Sequence, residues 1–125
     1  MGIDHYRGDS KTLELTVTDG NGDAVNLTGA YIWFTVKKRA KDVDSKAVIT
    51  KATANVDGGG DEQILITSGS LGLVEIYLVP ADTEDLNPPD YKYQFDVQVK
   101  TAAGKVYTVA RDTFQLLSDV TQGTT

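Results

Sequence analysis

From Tyr91 to Lys100 the chain alternates without a break: Tyr91, Tyr93, Phe95, Val97 and Val99 occupy one parity, and Lys92, Gln94, Asp96, Gln98 and Lys100 the other. Successive side chains of an extended strand point to opposite faces, so this segment has one dry face and one wet face. Such a strand must bury its dry face against a second layer, and this requirement limits the chain to a few layered architectures. The same pattern recurs elsewhere. Leu13, Leu15 and Val17 alternate with Thr12, Glu14, Thr16 and Thr18, and Val74, Ile76 and Leu78 point inward while Glu75 and Tyr77 point outward. Between about Tyr31 and Lys38, Ile32, Phe34 and Val36 share one face and Tyr31, Trp33 and Thr35 the other, so the first half of that strand is apolar on both sides.

Breaks fall between these runs. Asp19-Gly20-Asn21-Gly22-Asp23 supplies residues that tolerate positive φ and reverses the chain. Arg39 to Ser45 is charged and aperiodic and reads as a loop with room for one helical turn. A short strand is expected around Ala47 to Ala52, then a flexible Gly-rich hairpin end at Asp57-Gly58-Gly59-Gly60-Asp61. Gln63 to Thr67 reads as a strand with Ile64 and Ile66 on one side, followed by a turn at Ser68-Gly69-Ser70 and a strand from about Gly72 to Val79. Pro80 to Leu86 has the composition of a single helical turn, with Asp82 able to cap orphan N–H groups and Asp85 three residues on. Asn87-Pro88-Pro89-Asp90 ends it. After the turn at Ala102-Ala103-Gly104-Lys105, the last strand spans Val106 to Leu117, with Val106, Thr108, Ala110, Phe114 and Leu116 expected to face the core.

Seven or eight short strands separated by turn signals predict an all-β fold, an immunoglobulin-like antiparallel β-sandwich, with an up-and-down barrel as the alternative. Leu86, Pro88, Pro89 and Tyr91 support the sandwich, because a Tyr entering a late strand after a Leu-containing turn matches the tyrosine corner. The expected organisation is an N-terminal arm over 1–10, one domain over 11–117 and a flexible C-terminal tail over 118–125 that is frayed or ordered by a partner. The chain of 125 residues has no cysteine, which excludes disulfide scaffolds and zinc ribbons. Its formal net charge of -6, with Lys and Arg scattered, argues against nucleic acid as a partner. No apolar run approaches about 20 residues, and Met1 to Arg7 lacks an apolar signal core, so a soluble protein made in the cytoplasm is expected.

Motifs that carry chemistry are few. His5, the sole histidine, lies in the expected mobile arm and gives a nucleophilic triad nothing rigid to stand on. An enzyme would need an acid pair such as Asp82 and Asp85 in a cleft. Asp19, Asn21 and Asp23 imitate the first ligands of a calcium loop, but Ala24 and Ala30 stand where Gly and a bidentate Glu are required, and a plain turn is expected. Asp57, Asp61 and Glu62 form a second acidic cluster, expected to be solvated. Gly58-Gly59-Gly60 is followed by no Lys-Ser or Lys-Thr pair and no long helix, so it is no phosphate cradle. Arg7-Gly8-Asp9 leads into the first strand, and Asn26-Leu27-Thr28 is a sequon only in form. The expectation is a binding domain without catalytic residues, cofactor or metal.

The suggestive surface is aromatic. Tyr31 and Trp33, joined by Tyr77 or Tyr107, would mark a protein interface or a carbohydrate platform if exposed, unless a loop of the same chain covers them. Asp119 and Val120 in the tail complete the interface candidates.

The order of several short motifs resembles a known family. Gly8-Asp9-Ser10, Asp19-Gly20-Asn21-Gly22 and Val25-Asn26-Leu27-Thr28-Gly29-Ala30 resemble the N-terminal immunoglobulin-like domain of phage baseplate upper proteins. Leu78-Val79-Pro80-Ala81-Asp82-Thr83, then Leu86, Pro88 and Pro89, Tyr91 to Val99, Gly104-Lys105-Val106 and Asp112-Thr113-Phe114 extend the resemblance over residues 7 to 120. It implies a non-enzymatic virion structural protein of the tail, baseplate, neck or fibre-attachment region. The implied partners are other virion proteins, in a homo-oligomeric ring or symmetric array, with no membrane and no nucleic acid. Baseplate upper proteins continue into fibre-forming regions where this sequence stops at Thr125, which opens the capsid or neck as further places. The rival expectation is a carbohydrate-binding or host-adhesion module that uses Trp33 and neighbouring tyrosines.

Overall fold

The computed structural model describes residues 2–38, 47–84, 86 and 92–117. Within them the period-two runs become eight strands and one helical turn: β1 (Ile3–Tyr6), β2 (Lys11–Thr16), β3 (Tyr31–Lys37), β4 (Ile49–Ala52), β5 (Ile64–Ser68), β6 (Leu73–Leu78), α1 (Pro80–Thr83), β7 (Tyr93–Lys100) and β8 (Val106–Leu117). The strands form a five-stranded sheet, β1-β8-β7-β3-β4, and a three-stranded sheet, β2-β6-β5. With β2, β6 and β5 in the places of strands B, E and D, and β8, β7, β3 and β4 in those of G, F, C and C′, this is the immunoglobulin arrangement of a β-sandwich.

The alternating residues make the core between the sheets. Ile32, Phe34 and Val36 of β3 and Val97 and Val99 of β7 face Ile64 of β5 and Val74, Ile76 and Leu78 of β6, all of them buried. Phe34 and Phe95 pack as a tilted pair with ring centroids 5.7 Å apart. Each such side chain contributes about 1.5–3 kcal/mol on burial, which is the main force holding the sheets face to face.

The structure departs from the sequence reading in several places. Residues 3–6 form a strand, where an N-terminal arm was expected: β1 pairs with β8 in register Ile3↔Phe114 to Tyr6↔Leu117. His5 is accordingly fixed and only 2% exposed. Four residues are too few for alternation to register, and a histidine at the buried position hides the pattern. The β1–β8 pair is also parallel in an otherwise antiparallel sandwich. Parallel neighbours need a long crossover, and here almost the whole described chain lies between the two strands.

In β8 the expected bounds hold, but the expected facing holds only in part. Ala110 pairs with Val97 and Thr108 with Gln98, so Val109 is an extra residue and a bulge. The parity therefore flips, and Val106 (62% exposed) and Thr108 face away from the core while Phe114 and Leu116 stay buried. At the Gly-rich break, Gly59 is held tightly rather than loosely. Its N–H bonds to the Val56 carbonyl, and a Cβ there would run into the carbonyl oxygens of Ala52 and Thr53. Tyr91, Pro88 and Pro89 of the tyrosine corner, Asp85, the 39–45 loop and the 118–125 tail lie outside the described residues.

Candidate functional site

Residues paired across neighbouring strands point to one side of a sheet, so the registers define the outer face of the five-stranded sheet. One row joins Tyr31 of β3, Lys100 of β7 and Val106 of β8. The next joins Trp33 with Ala52, Gln98 and Thr108, and a third joins Thr35 with Thr50, Asp96 and Arg111. Lys37 and Gln94 follow, opposite Thr113. At the far edge β1 adds Asp4 beside Gln115 and the 54%-exposed Tyr6 beside Leu117, so the Tyr31–Trp33 pair marks one end of this face, polar side chains follow, and Tyr6 lies at the opposite corner.

At the aromatic end Tyr31 and Trp33, two residues apart on one strand, stack with ring centroids 6.2 Å apart and planes inclined by 18°. Tyr31 is 36% exposed and Trp33 is half-buried. At the polar end a shallow cavity of about 110 Å³ is lined by Thr35, Lys37, Gln94, Phe95, Asp96 and Arg111. The face thus combines a flat apolar surface, hydrogen-bonding groups and the cations Lys37, Lys100 and Arg111.

Tyr77 and Tyr107 do not join Tyr31 and Trp33. Tyr77 lies on β6 in the other sheet, opposite Thr12 of β2, with its hydroxyl donating to Glu75 Oε1 at 3.3 Å. Partial burial raises the Tyr77 pKa, and the negative charges of Glu75 and Asp61 act in the same direction. Tyr107 pairs with the inward residue Val99, so it projects past the end of the core on the opposite side from Trp33. Asp119 and Val120 lie outside the described residues.

The outer face of the three-stranded sheet has a different character. Glu14 and Glu75 are direct cross-strand partners, with Leu65 of β5 next in the row. Like charges placed opposite each other destabilise a sheet. Around them Glu14, Thr16, Thr67, Leu73 and Glu75 line a groove of about 470 Å³. Sequence reasoning missed this groove, because Glu14 and Glu75 lie far apart in the chain and only the β2–β6 register brings them together.

A third group of polar residues surrounds α1 at the bottom of the sandwich. Lys51 points inward from β4, opposite Phe34, and its Nζ lies 2.8 Å from Asp82 of α1. Asp82 Oδ2 also accepts the Val79 N–H, and the buried Thr83 hydroxyl accepts the Gly8 N–H at 2.8 Å. His5 packs against Phe114 with one ring nitrogen bonded to the Asp9 backbone, while Nε2 is buried without a hydrogen-bond partner. Asp82 is thus committed to a structural ion pair, and His5 is enclosed.

Among the described residues no group of three or more His, Cys, Asp or Glu is placed to hold a metal ion. In the Asp19–Asp23 turn the Asp19 carboxylate accepts the N–H groups of Asn21 and Asp23, which closes the turn locally. Among the described residues no helix is long and apolar enough to cross a membrane. No protein-family model matches the chain, and no curated protein matches it.

Proposed function

We propose that this chain is a non-enzymatic structural protein of a bacteriophage virion, a part of the tail, baseplate, neck or fibre-attachment region. It is made in the host cytoplasm and works by contact with other virion proteins. The observation that carries the reading is the stacked Tyr31–Trp33 pair on the outer face of the five-stranded sheet. Aromatic residues are enriched at the centres of protein interfaces, where they bury large area at low entropic cost. The order of motifs over residues 7–120, which resembles the immunoglobulin-like domain of baseplate upper proteins, supplies the particular kind of assembly. Repetition in a symmetric array lets modest individual contacts add up to a stable structure.

Immunogold electron microscopy of purified particles, with mass spectrometry of the same preparation, tests the proposal. Gold at one locus of the particle is the expected result. Absence of both gold and peptide would remove the virion assignment.

The polar cavity on the same face as Trp33 favours a second reading, a carbohydrate-binding or host-adhesion module. Stacked rings with Gln98 in the Trp33 row and Asp96 and Arg111 in the next row of the same face suit a sugar, with its apolar ring face and its hydroxyl edge. Glycan-array binding by the isolated chain, lost in Trp33→Ala, would favour it.

A further inference from the structure

We infer that copies of this chain associate with one another head to tail, the outer face of the five-stranded sheet of one copy seating on the outer face of the three-stranded sheet of the next. The inference deepens the assembly reading above, on which it rests, by naming the partner as a second copy and assigning both halves of the contact.

The two faces carry opposite charge excesses. The first carries Lys37, Lys100 and Arg111 against Asp4 and Asp96, a small excess of positive charge, with the Tyr31–Trp33 pair at one end. The second carries Glu14 and Glu75 side by side in a groove, flanked by the exposed Leu73 and by Leu65. A contact between two three-stranded faces would set one Glu14–Glu75 pair against another, which is costly, whereas the five-stranded face supplies the cations. Seating unlike faces together places cations against the Glu14–Glu75 pair and relieves a repulsion that the isolated fold contains.

Both faces also offer apolar area at their centres, Tyr31, Trp33 and Val106 on one and Leu65, Leu73 and the Tyr77 ring on the other. A contact in which unlike patches meet is heterologous, so it propagates until a ring closes or a filament grows.

Charge exchange tests this on the full chain by sedimentation velocity. Wild type should self-associate with rising concentration, and association should weaken at least about tenfold between low salt and about 0.5 M salt. A variant reversed on the acidic face (Glu14→Lys with Glu75→Lys) and one reversed on the basic face (Lys100→Glu with Arg111→Glu) should each be monomeric. Their mixture should recover 1:1 association, although both variants remain net acidic. Wild type monomeric at about 1 mM and low salt would overturn the inference. So would association by either variant alone, or a mixture that stays monomeric while circular dichroism shows both partners folded. Should a reversed variant not fold, Glu75→Gln and Arg111→Gln serve instead, each weakening association severalfold, and no weakening in either overturns the inference. Immunogold labelling of particles reads separately. A monomer in solution that still labels the virion defeats only the head-to-tail contact, whereas a self-associating chain missing from particles defeats the virion assignment.

Discussion

Lys51 Nζ lies 2.8 Å from both carboxylate oxygens of Asp82, and the lysine is only 7% exposed. Lys51 belongs to β4 at the edge of the five-stranded sheet, while Asp82 sits on α1, directly after β6 of the three-stranded sheet. The pair therefore joins the two layers at β4, which has no further neighbour among the described strands. An inward-pointing lysine on an edge strand also discourages pairing with a stray strand from another molecule.

Removing one partner leaves the other charge enclosed. Asp82→Ala should cost about 3–5 kcal/mol, because the Lys51 ammonium keeps its burial and loses its counter-charge. Combining it with Lys51→Met should recover most of the loss. Urea unfolding of the two variants is the check, and equal stabilities would show that the pair contributes nothing across the layers.

His5 makes stability depend on pH in a defined direction. Burial lowers its pKa below the ordinary 6.5, the Lys11 ammonium acts the same way, and Asp9 and Asp82 oppose both. The unfolded chain then binds more protons than the folded one between the two pKa values, so stability rises with pH across that window. The contribution is complete above 6.5 and is lost as the pH falls toward the folded pKa. The slope from this one proton is at most ~1.4 kcal/mol per pH unit. Urea midpoints between pH about 7.5 and about 5.5 should fall in wild type and fall less in His5→Leu, whose ring cannot be charged. An unchanged slope in the variant would assign the effect elsewhere.

Gly72 has φ +68°, and a Cβ there would lie 2.6 Å from the Val17 carbonyl oxygen. Gly72→Ala should destabilise by about 2–3 kcal/mol or more, since strain and a backbone clash coincide. Gly20→Ala, at a turn position with open space around it, should be neutral or stabilising by up to about 1 kcal/mol. Thermal melts of the two should move in clearly different amounts.

Trp33→Ala removes the larger ring of the outer-face stack. Folding should weaken by only about 1–2 kcal/mol, because the residue is half-buried and a stacked pair contributes about 0.5–1.5 kcal/mol beyond its area. Under the virion proposal, incorporation into particles, measured by complementation of a deletion phage, should fall far more than stability. A large drop in melting temperature with incorporation intact would make the ring a folding element.

Period-two alternation was enough to place β3, β6 and β7, because each spends one whole face on the core and loses every contact if shifted by one residue. The bounds of β8 were legible for the same reason. Its facing was not, since the bulge at Val109 reverses parity midway and nothing in Val106 to Ala110 marks an extra residue. Strand β1 was hidden by its length and by its buried histidine. The pairing of Tyr31 with Trp33 on one face was readable from a single strand, but their separation from Tyr77 and Tyr107 depends on which sheet each strand joins. Lys51 facing inward contradicts local polarity, and only Asp82, brought in by the fold, explains it, whereas Glu14 facing Glu75 depends on the β2–β6 register alone.

The parallel pairing of β1 with β8 sets how the domain would bear mechanical tension. Ile3 lies beside Phe114 and Tyr6 beside Leu117, and the Arg7 N–H continues the ladder to the Leu117 carbonyl at 2.9 Å. A pull entering ahead of Ile3 and leaving beyond Leu117 drags the two strands along their own axes in opposite directions. All the rungs between them are sheared together, so none can be peeled first, and the rest of the sandwich is shielded from the load until that short seam gives way.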